Sequence, residues 1–244
     1  MENVSIEYRF DRLRSLLGVE GLARLSRAHV LIVGVGGVGS WTAESLARSG
    51  IGRLTLVDPD TVCPTNFNRQ IQAVTGAEGR PKADVLAERL LQINPALRIE
   101  ARVVAYNRRT SDSILGVQPD AVVDAIDALA PKCHLLAACR TAGLPVVCST
   151  GSAGRCDPAQ VRMTDLAYTD VDPLARMVRK VLRRRFGFPR EGEGAFGIPA
   201  VYSTEEPAGE SSPRGTVSFV TGVFGLFCAA AVVHRLIEPG HASA

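Results

Sequence analysis

The segment VLIVGVGGVGSWTAESLARSG, from Val30 to Gly50, constrains the fold more than any other. An unbroken apolar run meets a cluster of glycines and then a helix-forming stretch. Gly34, Gly36 and Gly39 have G-x-G-x-x-G spacing, with Gly37 between them. Glycine lets the backbone turn sharply and come close to a phosphate, and the helix that follows points its first N–H groups at that phosphate. Strand, glycine loop and helix in this order predict a Rossmann-like nucleotide site. They do not choose between NAD, FAD and ATP.

The alternation continues along the chain. Two short helices are expected over 8–17 and 20–27, and strands at 28–33, 54–57, 99–104, 120–127 and 144–150. Helices are expected between them at 38–49, 81–94 and 131–143. Continuous apolar strands separated by helical periods predict an α/β fold with a doubly wound, mostly parallel sheet. Beyond Gly151 the pattern changes. QVRMTDL predicts a strand of a mixed C-terminal extension, and Asp172 and Pro173 open a helix as N-cap and first residue. Residues 187–216 read as a long mobile loop, and 217–237 as a terminal apolar helix. The whole of 1–244 reads as one domain: N-terminal helices over 1–27, a nucleotide-binding core over 28–150 and an extension over 151–244.

A chain of 244 residues buries about 70–75% of its unfolded surface and needs no staples. Its six cysteines form no C-x-x-C pair, which argues against a tetrathiolate zinc site and a disulfide scaffold and fits reduced thiols in the cytoplasm. The N-terminus has no apolar signal core. Gly215–Val233 carries no charge and is nearly long enough to span a bilayer, but Thr, Ser and Gly dilute it and no second span accompanies it. A buried core or interface helix is expected there, with no membrane partner.

Asp58 and Asp60 follow the second strand. Asp58 lies 24 residues beyond Gly34, where a Rossmann fold places its ribose-binding acid; an acidic turn is the alternative. TNFNRQ sets Arg69 among the amides of Asn66, Asn68 and Gln70. A triphosphate can use such an arginine, because the planar guanidinium bridges phosphate oxygens. Lys82 is one of only three lysines against 25 arginines. It suits a phosphate contact that wants a compact point charge, or it is a surface lysine. Asp124 and Asp127 end the fourth strand, at the edge where open α/β sheets bind ligands. A carboxylate there either holds Mg²⁺ against phosphates or caps the next helix.

GVGGVGS, the DPD pair, TNFNRQ, Lys82 and DAID together resemble the ubiquitin-activating-type adenylyltransferases, over about residues 9–150. The resemblance implies ATP on the glycine loop, with contacts from Gly34, Gly36, Gly37, Gly39, Asp60, Asn66, Asn68 and Gln70. It implies ribose on Asp58, phosphates on Arg69 and Lys82, and Mg²⁺ on Asp127. It also implies a homodimer in which an N-terminal arginine reaches the partner's ATP. RFDRLR offers Arg9, Arg12 and Arg14, and the R-x-x-R spacing selects Arg12. The family reaction joins AMP to a carboxylate with release of pyrophosphate; the protein positions charges and needs no general base.

STGSAGRCDPAQVRMTDLAYTDVDPLARMVRKVLRRRFGF, with VYSTE at 201–205, is similar to the tRNA-acting branch of that family, the threonylcarbamoyladenosine dehydratases. The carboxylate would then be the threonyl group of the modified adenosine, which cyclises with loss of AMP. From Pro173 to Arg190 there are seven basic residues and no acidic one. Arg176, Arg179, Lys180, Arg183 and Arg184 recur at helical spacing opposite Leu174, Met177, Val178, Val181 and Leu182. Such a stripe fits a tRNA backbone or an ordinary solvated face. A net charge of +3 does not decide between them. The extension is therefore expected to serve tRNA binding and dimerisation.

Two other readings compete. An adenylyltransferase for a small Gly-Gly-tailed sulfur-carrier protein is disfavoured by the missing Cys pairs. A non-catalytic nucleotide sensor is disfavoured by the joint presence of Arg69, Lys82 and Asp127. The segment EEPAGESSPRGT holds no cysteine and Cys228 sits in an apolar helix, so no thioester step is expected. The sequence does not fix a monovalent-cation requirement, the set of tRNAs or any sulfur-relay partner.

Overall fold

A computed structural model describes residues 6–209 and 215–238. After a 3-10 turn at Ile6–Phe10 comes α1 (Asp11–Arg27), broken at Gly18 as the two expected short helices require. The core runs β1 (His29–Val33), α2 (Gly39–Arg48), β2 (Arg53–Val57), α3 (Lys82–Ile93), β3 (Arg98–Arg102), a short α4 (Ser111–Leu115), β4 (Ala121–Asp124), α5 (Leu129–Thr141) and β5 (Val146–Ser149). The extension adds β6 (Val161–Asp165), α6 (Pro173–Arg185), β7 (Pro199–Ser203) and α7 (Ser218–Ile237).

One seven-stranded sheet runs through both halves in the order β3-β2-β1-β4-β5-β7-β6. All neighbours are parallel except β6 and β7. Both faces of β1 are buried, which is why its sequence is an unbroken apolar run. Val30 and Ile32 join the core under α1, α2, α3 and α7, while Leu31 and Val33 join the core under α4, α5 and α6. This is the doubly wound α/β architecture with a mixed extension.

Two expectations change. The long loop expected at 187–216 contains β7, which pairs parallel to β5 (Cys148 opposite Ala200) and antiparallel to β6. Residues 210–214 of that segment lie outside the described residues. On α6 the buried positions are Ala175, Val178 and Leu182, whereas Met177, expected on the apolar face, is exposed.

The terminal helix α7 is a core helix on one side. Phe224, Cys228 and Val232 are buried against the sheet and α2. Gly225 lies so close to α2 that a Cβ there would stand 2.6 Å from both Trp41 Cβ and the Val38 carbonyl oxygen. Thr42 donates to the Gly225 carbonyl at 3.1 Å and locks the pair. The other side exposes Phe219, Leu226 and Phe227.

Candidate active site

The strand order reverses between β1 and β4, and a cleft of about 740 Å³ opens at their carboxyl ends. The glycine loop forms one wall. Gly34 has φ +91°, and a Cβ on it would stand 2.7 Å from the Ala125 carbonyl oxygen. A Cβ on Gly39 would stand 1.8 Å from the Gly34 carbonyl oxygen. Only glycine at both lets the loop close against β4 and start α2 directly above the cleft, where its N-terminus favours anions.

Asp58 anchors this loop to β2. Its Oδ2 accepts the Val35 N–H at 2.8 Å and its Oδ1 the Asp60 N–H at 2.9 Å. Burial pushes its carboxyl above the ordinary carboxylate range, while those two N–H groups and the Lys82 charge pull the other way. The Asp58 side chain is thus both a wall of the cleft and the tie that shapes it.

Two cations line the same cleft. Lys82 opens α3 with its side chain buried, and its Nζ lies 2.8 Å from Asp60 Oδ2. The Arg69 guanidinium donates to the Thr65 carbonyl at 2.9 Å and to Asn68 Oδ1 at 2.8 Å. Asn66 is buried, and its Oδ1 accepts the Cys63 N–H at 3.1 Å, which shapes the turn leading to Arg69. Gly34, Gly36, Gly37, Asp58, Asp60, Asn66, Arg69, Gln70, Lys82 and Asp127 all line the cleft. Asn68 and Gly39 do not. Asn68 braces Arg69 and donates to the Thr216 carbonyl at 2.8 Å, and Gly39 packs beneath the loop.

The two aspartates of DAID separate. Asp124 is fully buried, with Lys132 Nζ 2.6 Å from its Oδ2, so it neither faces the cleft nor caps a helix. Asp127 is exposed on the cleft, and among the described residues its carboxylate makes no hydrogen bond or ion pair. The cap position of α5 is Ala128, so Asp127 does not serve as cap either. A free carboxylate lining the same cleft as Lys82 and Arg69 would suit Mg²⁺ held together with phosphate oxygens. No cluster of three or more His, Cys, Asp or Glu among the described residues could hold a metal by itself.

Sequence reasoning missed three parts. Trp41, the only tryptophan, packs on Gly222 and Gly225 and donates from Nε1 to the Arg69 carbonyl at 3.1 Å, which fixes the arginine turn to α2 and α7. The loop Ser149–Ala153 forms the far wall of the cleft with Leu174 of α6. Arg155, almost fully buried, holds that loop by donating to the Gly151 carbonyl while its Nη2 lies 2.9 Å from Asp172 Oδ2. Asp172 Oδ1 accepts the Ala175 N–H at 2.6 Å as the expected N-cap of α6. One buried carboxylate therefore joins the cleft wall to the basic helix.

Arg176, Arg179, Lys180, Arg183 and Arg184 come together along a groove of about 610 Å³ beside Thr169 and Glu191. Arg179 donates to Thr169 Oγ1, and burial together with the Arg183 charge presses it below its ordinary range. Crowded like charges of this kind favour an anion. Arg12 lies apart on α1. It is exposed and without a hydrogen bond or ion pair among the described residues, whereas Arg9 donates to the Ile93 carbonyl and Arg14 pairs with Asp11.

Known proteins are similar to this chain over most of its length. A tRNA threonylcarbamoyladenosine dehydratase of Haemophilus influenzae is 37% identical over 246 residues, which is 95% of this chain and 94% of the relative. The Escherichia coli protein of that name is 44% identical over 200 residues, 81% of this chain and 74% of the relative. The solved structure of Escherichia coli tRNA N6-threonylcarbamoyladenosine dehydratase in complex with ATP matches with a TM-score of 0.90 and 40% identity, covering 94% of each chain. The ThiF family matches residues 10–244, so the glycine loop, the arginine turn and the extension fall within one pattern, and the chain belongs to the ThiF family.

Proposed function

We propose that this protein adenylates the threonyl carboxylate of N6-threonylcarbamoyladenosine in tRNA and then drives its cyclisation, a net dehydration. ATP occupies the cleft with its phosphates at the start of α2 and its ribose beside Asp58. A carboxylate oxygen attacks the α-phosphorus, the bond to the β-phosphate oxygen breaks, and pyrophosphate leaves. An internal nucleophile of the carbamoyl group then attacks the activated carbonyl. AMP departs with the former carboxylate oxygen, and the proton goes to solvent.

Arg69 and Lys82 hold the charge that gathers on pyrophosphate. Asp127 would hold Mg²⁺, which would supply charge neutralisation at the phosphate oxygens. The carboxylate is already ionised at neutral pH, so positioning dominates the catalysis. The observation that carries the acceptor is the basic groove: five cations on α6 share a helix with Leu174, which lines the cleft. Such a surface suits a polyanion that must place one group in the cleft. The carrier-protein alternative lacks support from the residues, since no C-x-x-C pair is present.

The working unit is the whole of 1–244 as a homodimer in the cytoplasm, with 151–244 serving tRNA and partner contacts. Exposed Phe219, Leu226 and Phe227 on α7, with Leu16 and Val19 on α1, supply an apolar surface of the kind that a second copy covers. The test is incubation with ATP, Mg²⁺ and tRNA bearing the threonylcarbamoyl group, then mass spectrometry of the nucleosides. Loss of one water from the modified adenosine is expected. Turnover that requires a carrier protein and ignores tRNA would overturn the reading.

A further inference from the structure

A second cavity, of about 460 Å³, lies between the loop after β3, the start of α5 and the end of α6. It shares Tyr106 and Pro131 with the cleft, so the two are contiguous. Leu129, Pro131 and Phe186 make much of its wall apolar, and Arg108 and Arg185 stand at it. Both arginines are exposed, and neither makes a hydrogen bond or ion pair among the described residues. Arg185 belongs to α6, but it does not line the basic groove. The helix therefore separates two cationic surfaces, one a groove along its length and one a pocket beside the cleft.

We propose that this side pocket seats the nucleotide adjacent to the one that reacts, as part of the tRNA reading above. The chemistry is that of single-stranded RNA recognition. A flat apolar wall takes a base pulled from its stack, and guanidiniums take the phosphate beside it. A carboxylate delivered to the cleft leaves its neighbouring nucleotide one backbone step away. The pocket adjoins the cleft on the α6 side, and it has the charge and the apolar surface a nucleotide needs. The nearby Tyr106 hydroxyl, 3.0 Å from both Ser111 Oγ and His134 Nδ1, stays protonated with its pKa pushed up to about 12 by burial, so the pocket rim keeps a neutral phenol.

The test is the double variant Arg108→Ala/Arg185→Ala in the full chain. KM for the modified tRNA is expected to rise about tenfold, while the Kd for ATP, read by calorimetry, stays unchanged. The salt dependence of tRNA binding is expected to flatten by about one to two units of log–log slope. tRNAs made abasic at one position flanking the modified adenosine extend the test. One such position reproduces the loss in the wild-type protein and adds nothing in the double variant. A variant that matches wild type, full additivity with both abasic positions, or a weakened ATP Kd in place of a raised KM overturns the proposal. Failure of the tRNA reading shows in the wild-type protein, whereas failure of the pocket shows only in the variants.

Discussion

Lys132 Nζ lies 2.6 Å from Asp124 Oδ2 with both side chains fully buried, and the same ammonium donates to the Ser149 carbonyl at 2.8 Å. These contacts tie the end of β4 to the end of β5 directly behind the cleft. Asp124 also accepts the Ile126 N–H at 3.2 Å, which sets the start of the loop that carries Asp127, and Ser149 starts the opposite wall. Burial disfavours the ammonium, but the Asp124 charge and hydrogen bond, with the neighbouring Cys148 and Cys228, together outweigh it and hold Lys132 above its ordinary range. Lys132→Met strands a buried carboxylate, so a loss of about 3–5 kcal/mol is expected in urea unfolding. Adding Asp124→Leu is expected to recover much of that stability without restoring turnover. A single variant as stable as wild type would show that the pair is not needed for the fold.

Arg69 and Asp127 are expected to behave in the opposite way. Neither belongs to the buried core, so Arg69→Ala and Asp127→Ala should shift stability by no more than about 0.5 kcal/mol. Each removes a charge aimed at where phosphate charge develops, so turnover should fall by about 10²–10³-fold. Thermal melts beside product assays check this. Retained product formation would reassign the phosphate end of the cleft.

Glu44 of α2 is nearly buried and pairs with Arg48 at 2.7 Å and with Arg89 of α3 at 2.8 Å. Burial raises its carboxyl, but the hydrogen bonds and charges of Arg89 and Arg48 win and hold it below the ordinary range. A depressed carboxyl contributes stability above its unfolded pKa of about 4.5 and loses it as pH falls through the lower folded value. Glu44→Gln is therefore expected to cost about 1 kcal/mol at pH 7. The gap from wild type should shrink as pH falls from about 4.5 through the lower folded value. A gap that is constant with pH would mean that packing, not charge, joins α2 to α3.

Most of the core could be read from sequence because both faces of each central strand are buried, which leaves unbroken apolar runs. The strand β7 could not. It is five residues behind a Gly- and Pro-rich stretch, and its partner β5 lies about 50 residues back. Pairing of that range leaves no local mark. Asp124 and Asp127 were inseparable because their fates turn on where β4 stops. Lys132 was legible in principle. The rarity of lysine singled out Lys82, and the same argument applies to Lys132, since both are buried where a compact ammonium is needed. Arg155 and Trp41 act through tertiary contacts alone, and only their burial and partners reveal them.

The six cysteines divide by burial. Cys63 and Cys156 are exposed, and Cys133, Cys139, Cys148 and Cys228 are buried. Burial pushes the Cys228 thiol up to about 12, which leaves it protonated and inert. A thiol-reactive chromophore should therefore titrate two cysteines in the native protein and six after denaturation. Rapid native reaction of a third would show that a core helix opens on the timescale of the assay.

The homodimer proposal makes a sharper demand, because Arg12 is to act on the partner's ATP. Arg12→Ala and Arg69→Ala should each be inactive alone. Mixing them after reversible dissociation yields mixed dimers in about half of the molecules if exchange is random. In a mixed dimer one site takes Arg69 from one protomer and Arg12 from the other, and both are intact. The second site lacks both. One site in two, in half of the dimers, gives about a quarter of wild-type turnover. If Arg12 served its own protomer's cleft, every site in the mixture would lack one arginine and no activity would return. Recovery to about a quarter therefore separates a shared site from two independent ones. It does so without an interface structure, because only an arginine crossing between protomers can complement.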